Sequence, residues 1–420
     1  MSTSSGKGSR RNSVEIRTIG VREAGLKYFL ILILVVVLAA GGYAAWMWYS
    51  MTQPYQDFPK EGVFVELPHG ASPRYVGYLL KHNGVVRSKL AFEIYSRRHP
   101  KRTLQAGEYF FDHPMTGRDV FWKIAAGQIY EQPFTVREGE TMFDIARDLE
   151  AAKFMRAGDF LYSASDPSLI RDFAPEARTL EGFLFPATYE LPRHPVATEL
   201  TAQMVHKFKD EWKRIAASDP NSQAASNGQA GAKASSGSKE RTNVNTESPT
   251  VRLRAVTLAS LVERETPKPE ERPMVASVFD NRIGKRMRLQ CDPTVIYGLE
   301  RIGQYKGSLS GKDLTFDSPY NTYEHYGLPP GPIGNPGEAS LRAALHPAET
   351  SFLYFVANTQ GGHFFSSTLA EHNRNVLKYR RLLAGLPADP PPPPPKPQPA
   401  KKKQTKPATT KSKQKKGKAR

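Results

Sequence analysis

Two glutamates one residue apart, Glu263 and Glu265, close the segment VRLRAVTLASLVERET at residues 251–266. The segment has helical periodicity. Stepping about 100° per residue from Ala255, Leu258 falls near 300°, Leu261 near 240°, Val262 near 340° and Ala259 near 40°. Glu265 falls near 280°, inside this apolar arc, whereas Glu263 falls near 80°, at its margin. A carboxyl among leucines is desolvated, which raises its pKa and keeps it protonated near neutral pH. General-acid catalysis requires that state. The competing reading for Glu265 is a structural ion pair, with Arg254 on the same side or with a residue elsewhere. Arg264 faces away, and Glu263 reads as solvated surface, with an auxiliary acid as its alternative.

Two further segments carry unusual local chemistry. Residues 286–298, RMRLQCDPTVIYG, read as an extended end at Leu289-Gln290, a turn at Asp292-Pro293 and an apolar stretch from Thr294. Residues 318–337, SPYNTYEHYGLPPGPIGNPG, mix prolines and glycines with polar and aromatic side chains, which predicts an ordered loop without regular structure. Its Tyr320, Asn321, Tyr323 and Tyr326 offer ring faces and amides. That combination suits a carbohydrate, whose C–H faces are apolar and whose hydroxyls need partners. Asp292 before a proline and Asn321 beside Tyr320 are equally turn-forming residues.

Other signals are weaker. The histidines, among them His325, His346, His363 and His372, have no HExxH-type spacing, so no metal is implied. His363 and His372 read as structural hydrogen-bonding residues, with lining the site as the alternative. Cys291, the single cysteine, has no base signature beside it and reads as a small buried side chain. The glycine-rich stretches lack phosphate-loop spacing, so no nucleotide cofactor is implied.

These segments need a scaffold, and the rest of the chain supplies an α+β one. Residues 63–130 read as a strand, two amphipathic helices, a strand at Glu108–Phe111 and a further helix from Gly117. In 131–216, PFTVREGETMFDIARDLEAAKFM (133–155) reads as strand, Glu-Gly turn and a helix capped by Thr141. Residues 217–248 are poor in large apolar side chains and read as a disordered insertion. The chemistry-bearing segments fall in 249–386. A proline- and lysine-rich disordered tail, 387–420, follows. No repeat of fixed period is visible.

The net charge of +18 suggests nucleic acid until it is located along the chain. The basic arm 1–27 carries +4 and residues 396–420 carry +11, leaving +3 for everything between. The body is nearly neutral, so nucleic-acid binding loses its support. Between the arm and a linker at 50–62 lies an uncharged run, Tyr28 to Tyr49, long enough at about 33 Å to span a bilayer. Tyr28 at one end and Trp46, Trp48 and Tyr49 at the other fit interfacial belts, and the preceding cations predict a cytoplasmic N-terminus. A cleaved signal peptide is the alternative, but the apolar run is too long for a typical signal core.

Two resemblances sharpen these readings. The start of 133–155 resembles a LysM module, a small peptidoglycan-binding fold; an α/β piece that merely packs on its neighbour is the alternative. More specifically, LASLVERET, LQCDPTVIYG, SPYNTYEHYGLPPGPIGNPG, SLRAALHP and FLYFVA with GGHFFSSTLAEHN resemble the YceG-like endolytic murein transglycosylases, the MltG family. LEGFLFPATYEL at 180–191 fits too. The insertion, the basic tail and Glu324-His325-Tyr326 depart from the family pattern.

The resemblance implies an inner-membrane enzyme with a LysM-like accessory domain and a mixed α+β catalytic domain with long ordered loops. Such an enzyme cuts peptidoglycan glycan strands internally, leaves 1,6-anhydromuramoyl ends, uses no cofactor or metal, and ends nascent strands beside peptidoglycan synthases. Its essential glutamate maps to Glu265. Gln290, Asp292, Tyr320 and Asn321 become candidates for holding N-acetyl and hydroxyl groups. A non-catalytic peptidoglycan-binding scaffold and a hydrolytic muramidase remain the alternatives.

Overall fold

The computed structural model describes residues 15–218 and 248–388. The expected disordered insertion and most of the expected disordered tail lie outside the described residues, as does the start of the basic arm. The described chain is mixed α and β, with three separate two-stranded antiparallel sheets among its helices.

The chain opens on one long helix, α1 (Glu15–Thr52). Its stretch Leu26–Thr52 has a mean hydropathy of 2.4 and none of its most apolar window is covered by protein. Only its end is seated: Ser50 and Met51 are buried, with the Met51 sulfur against Gly117.

The first unit behind it follows the sequence expectation. It runs β1 (Val63–Leu67), α2 (Pro73–His82), α3 (Lys89–Arg97), β2 (Gly107–Phe111) and α4 (Gly117–Ala125). Ser72, Ser88 and Thr116 cap the three helices by accepting from backbone N–H groups one turn in. The alternation in β1 turns Val65 and Leu67 inward and leaves Glu66 outside, in register with Tyr109, Gly107 and Glu108 of β2. The inward side chains meet Leu80, Phe92, Phe121 and Ile124 in a core of their own.

The second unit repeats that order. β3 (Gln132–Thr135), α5 (Met142–Ala151), α6 (Ala157–Ala164) and β4 (Thr188–Leu191) again give strand, helix, helix, strand, with β3 and β4 antiparallel. Thr141 caps α5 as expected, in a reciprocal capping box with Asp144. The likeness lies in topology without a fixed residue period, because the helices and connections differ in length. A long helix, α7 (Ala197–Ala217), closes the unit.

The remainder is built around α8 (Pro249–Glu265), followed by α9 (Arg272–Gly284), α10 (Asp292–Glu300) and α11 (Glu338–Leu345). The hairpin β5 (Tyr354–Ala357) and β6 (His363–Ser366), then α12 (Leu369–Leu383), complete it. α8 is buried on nearly every side. Leu253, Ala255, Val256 and Ala259 enter the core of the second unit with Phe183, Phe208 and Trp212. Leu258, Leu261 and Val262 enter another core with Phe279, Leu289, Tyr297 and Ile333. The parts read as 131–216 and 249–386 therefore share packing through one helix.

The Asp292-Pro293 turn is corrected: these residues begin α10, with Cys291 as its cap. Proline is well tolerated there, because the first helical N–H groups have no partner inside the helix. The 318–337 loop has no helix or strand, as expected, and residues 331–337 are buried. Asn335 ties it to the second unit. Its amide oxygen accepts from Gly182 and Leu184 N–H at 2.9 Å each, and its amide nitrogen donates to Glu140 O and Glu181 Oε1. Gly182, at φ +87°, lies so close that a Cβ would sit 2.4 Å from Pro332 Cγ.

Glu181 is the buried carboxyl of this tie, accepting from Met142 N–H at the start of α5. Burial pushes its pKa up to about 8, against the pull of those bonds. A carboxyl raised on folding contributes its full stability below its unfolded pKa and loses it as pH rises through the folded value. Stability should therefore decline between about pH 4.5 and 8. Glu181→Gln should flatten that slope and raise relative stability at pH 8, measured by urea unfolding across pH.

Candidate active site

Glu265 is the last residue of α8. The helix stops there because Thr266 precedes Pro267, which excludes the helical conformation; Thr266 is extended at φ −140° and ψ 129°. The carboxyl sits at a helix C-terminus, where the helix dipole disfavours negative charge. It keeps an opening to solvent, yet burial among protein groups raises its pKa. The Cys291 thiol, hydrogen-bonded to it, works the other way. The Asp292 charge adds to the rise, while His363 and Arg282 favour the carboxylate.

These neighbours come from three directions. Arg282, on α9, donates from Nε to Leu353 O at 2.7 Å and from Nη1 to Leu289 O at 2.7 Å, so it joins the hairpin to the segment leading to Cys291. Cys291 is buried, and desolvation followed by the Glu265 charge lifts its pKa well above the usual thiol value. This buried thiol is hydrogen-bonded to the Glu265 carboxyl. Asp292 accepts from Tyr323 Oη at 2.5 Å, which closes the 318–337 loop over the start of α10. Thr322 and Thr294, 2.9 Å apart, complete that seam, and Thr322 Oγ1 accepts from Cys291 N–H.

On the third side stands a carboxylate–imidazole pair. Glu271 accepts from His363 N–H at 2.9 Å and lies 2.7 Å from His363 Nδ1. Thr266 Oγ1 donates to the same carboxyl. Burial opposes the Glu271 charge, but these bonds outweigh it and hold its pKa below the ordinary value. His363 thus makes a structural hydrogen bond, as its sequence reading anticipated, beside the charge of Glu265.

The other sequence candidates separate by location. Gln290 is exposed, with its backbone in the left-handed region at φ +52° and its N–H bonded to Thr322 O. Tyr320 is turned inward, its ring 4.9 Å from that of Tyr297 and covered by the Arg301 guanidinium. Asn321 is fully buried. Its amide nitrogen donates to Leu314 O and Phe316 O, and its oxygen accepts from Tyr323 N–H. Neither Tyr320 nor Asn321 presents a free face or amide. A loop with few backbone partners of its own needs such side chains to hold it.

The expectation for Glu263 is overturned. It is buried, accepting from Arg272 Nη2 at 2.6 Å and from Gly337 N–H at 2.9 Å. The side chains of the pair are 4% and 5% exposed. Burial raises the Glu263 pKa, although Gly337 and Arg272 pull it down. The helical wheel failed here because it assumes one solvated face, and α8 has almost none. Arg254, offered as a partner for Glu265, pairs instead with Asp280 at 2.9 Å. Arg282, Glu271 and Tyr323 were missed as neighbours of Glu265, since no local spacing links them to it.

Comparison with known proteins gives a consistent result. Residues 65–378 match the model of the YceG-like family. The chain is 32% identical over 353 residues to an endolytic murein transglycosylase of Bacillus subtilis, covering 79% of this chain and 88% of that one. It is 28% identical over 386 residues to an endolytic murein transglycosylase of Streptococcus pneumoniae, covering 84% of this chain and 65% of that relative. A crystal structure of a yceG-like protein from Listeria monocytogenes is 32% identical. It covers 75% of this chain and 99% of its own, with a TM-score of 0.46.

The Glu263–Arg272 pair gives a test of its role. Glu263→Ala or Arg272→Ala should each destabilise by about 3–5 kcal/mol, because each leaves a buried charge uncompensated. The double variant should cost clearly less than the sum of the singles in equilibrium unfolding.

Proposed function

The chain belongs to the YceG-like family, and on that premise we propose that it is an endolytic murein transglycosylase that cuts peptidoglycan glycan strands internally. The observation that carries the reading is Glu265 itself: a carboxyl at the end of α8 whose pKa burial raises, yet still partly open to solvent.

The bond cut is the β-1,4 link from N-acetylmuramic acid to N-acetylglucosamine. Glu265 donates its proton to the glycosidic oxygen as that bond breaks. The muramoyl C6 hydroxyl then attacks C1 of its own ring and gives its proton to the Glu265 carboxylate, leaving a 1,6-anhydro end. No water is consumed, and Glu265 finishes protonated. Hydrolysing glycosidases use two carboxyls because a separate nucleophile must be supplied or activated. An intramolecular hydroxyl has an effective molarity of about 10⁵–10⁸ M when well oriented, so one carboxyl suffices.

In this reading Cys291 and Arg282 stabilise the Glu265 carboxylate that forms midway, and the Asp292 charge favours its reprotonation. Exposed Gln290 and the Asp292 carboxylate are the groups available to N-acetyl and hydroxyl partners on the glycan. Tyr320 and Asn321 act indirectly, by stiffening the loop that carries Tyr323.

The unburied apolar stretch of α1 supports a single-pass membrane anchor. Basic residues before it favour a cytoplasmic N-terminus and an extracytoplasmic enzyme at the bacterial inner membrane. The strand–helix–helix–strand order of the second unit supports a LysM-like accessory role in glycan binding. Peptidoglycan synthases as partners, and termination of nascent strands, rest on family analogy.

Mass spectrometry of digests by the full chain tests the reaction. Internal fragments ending in 1,6-anhydromuramic acid are expected; reducing ends would indicate a muramidase, and bound but uncut glycan a scaffold. Glu265→Gln should slow cleavage by about 10²–10⁴-fold. Its thermal midpoint should be unchanged or higher, since a poorly solvated acid is replaced by a neutral amide. Asp292→Asn gives a signed pH test. Removing that negative charge lowers the Glu265 pKa, so the acid loses its proton at lower pH. The alkaline limb of kcat/KM should move to lower pH.

A further inference from the structure

Between the end of α9 and the tip of the 318–337 loop lies an open cavity of about 580 Å³, lined by Ile283, Arg286, Met287, Tyr326 and Gly327. The two segments that line it also carry Arg282, Cys291, Asp292 and Tyr323 to Glu265. None of the cavity's lining residues has a part in the proton transfers described above.

The charge of its α9 side is one-sided, while the facing loop carries one exposed acid, Glu324. Residues 282–289 hold four cations, Arg282, Lys285, Arg286 and Arg288, and no acid. Arg282 is spent on backbone carbonyls. Lys285, Arg286 and Arg288 are exposed, and none has a carboxylate partner among the described residues. Arg288 lies 5.2 Å from the ring centre of Tyr326, which is 65% exposed. The chain is held in this shape by backbone: Arg286 at φ +53°, Gln290 at φ +52° and Gly327 at φ +83°. Two of these are non-glycine residues in the left-handed region, a conformation with an energetic cost that persists only where the surroundings impose it.

Cations in that number have no counterpart on the glycan backbone of intact murein. In murein the lactyl carboxyl of each muramic acid is consumed in an amide bond to the stem peptide, so the backbone is uncharged. Negative charge on the substrate resides in the free carboxylates of the stems. We propose that this cavity is a binding site for the stem peptide, with Arg286 and Arg288 on its carboxylates and Ile283, Met287 and Tyr326 against its apolar side chains. The site makes the enzyme select glycan whose stems carry free carboxylates over glycan whose stem carboxylates are neutralised. The proposal rests on the transglycosylase reading and adds to it the part of the substrate that is recognised.

The test compares initial rates of the full chain, in detergent, on glycan strands with stems and on the same strands after carbodiimide coupling has converted the stem carboxylates to amides. The unmodified strands should have a KM lower by about three- to tenfold, the range for two exposed charge pairs. Arg286→Gln with Arg288→Gln should raise that KM until the ratio is near one. Added salt should narrow the ratio in the same direction, because exposed pairs are screened. Equal KM values for the two substrates, or an equal rise for both in the double variant, would overturn the proposal. A preference that persists unchanged in the double variant would overturn it as well, by assigning the selection to another part of the molecule. Failure of the catalytic reading looks different, since neither substrate would then yield anhydro ends.

Discussion

Burial of α8 on almost every side is the constraint on which the rest of this structure depends. The helix joins the core of the second unit to the core beneath the active site, so its apolar residues serve both. Any carboxyl on such a helix must be neutralised, paired or kept at an end. The two glutamates take different solutions. Glu263 lies within the packed length and is held by Arg272 and the Gly337 N–H. Glu265 lies at the terminus, where desolvation is strong and an opening to solvent remains. About half a turn of helix thus separates an ion pair that holds the fold from a carboxyl left partly open to solvent.

The long loop illustrates how irregular backbone is made rigid. Residues 318–337 contain no helix or strand, and buried backbone groups without partners would be costly. Side chains fill the deficit. Asn321 bonds inside the loop, Thr322 bonds to the cap of α10, and Asn335 reaches across to Gly182, Leu184 and Glu181. These bonds tie the loop to the second unit at one end and to the Glu265 surroundings at the other. The second unit is therefore coupled mechanically to the surroundings of Glu265.

Around Glu265 the polar groups oppose one another in a useful way. Burial and the Asp292 charge favour the acid, while the thiol of Cys291 and the cationic groups favour the carboxylate. In the proposed reaction, where Glu265 gives a proton and takes one back within a single turnover, such balance serves both steps. The Glu271–His363 pair belongs to the same economy of charge: it fixes the hairpin β5–β6 beside α9 and brings an imidazole near the carboxyl without a metal-type arrangement.

The sequence by itself determined the local elements and the motif-bearing segments. Alternation in β1, the cap at Thr141 and the apolar run of α1 depend only on near neighbours in the chain, so strand, helix start and long apolar helix were legible. The periodicity around Glu265 was legible for the same reason. Tertiary structure decided what those residues face. Glu263 looked solvated because a helical wheel counts neighbours along one helix and cannot register the Arg272 side chain or the Gly337 backbone arriving from other elements. Tyr320 and Asn321 looked like binding groups because ring faces and amides suit a sugar and a loop interior equally well. The repeated strand–helix–helix–strand order left no period, because topology survives changes in length and composition that erase residue spacing. The surroundings of Glu265 are assembled from Arg282, Asp292, Tyr323 and His363, and only folding, by closing long stretches of chain on one another, brings them together.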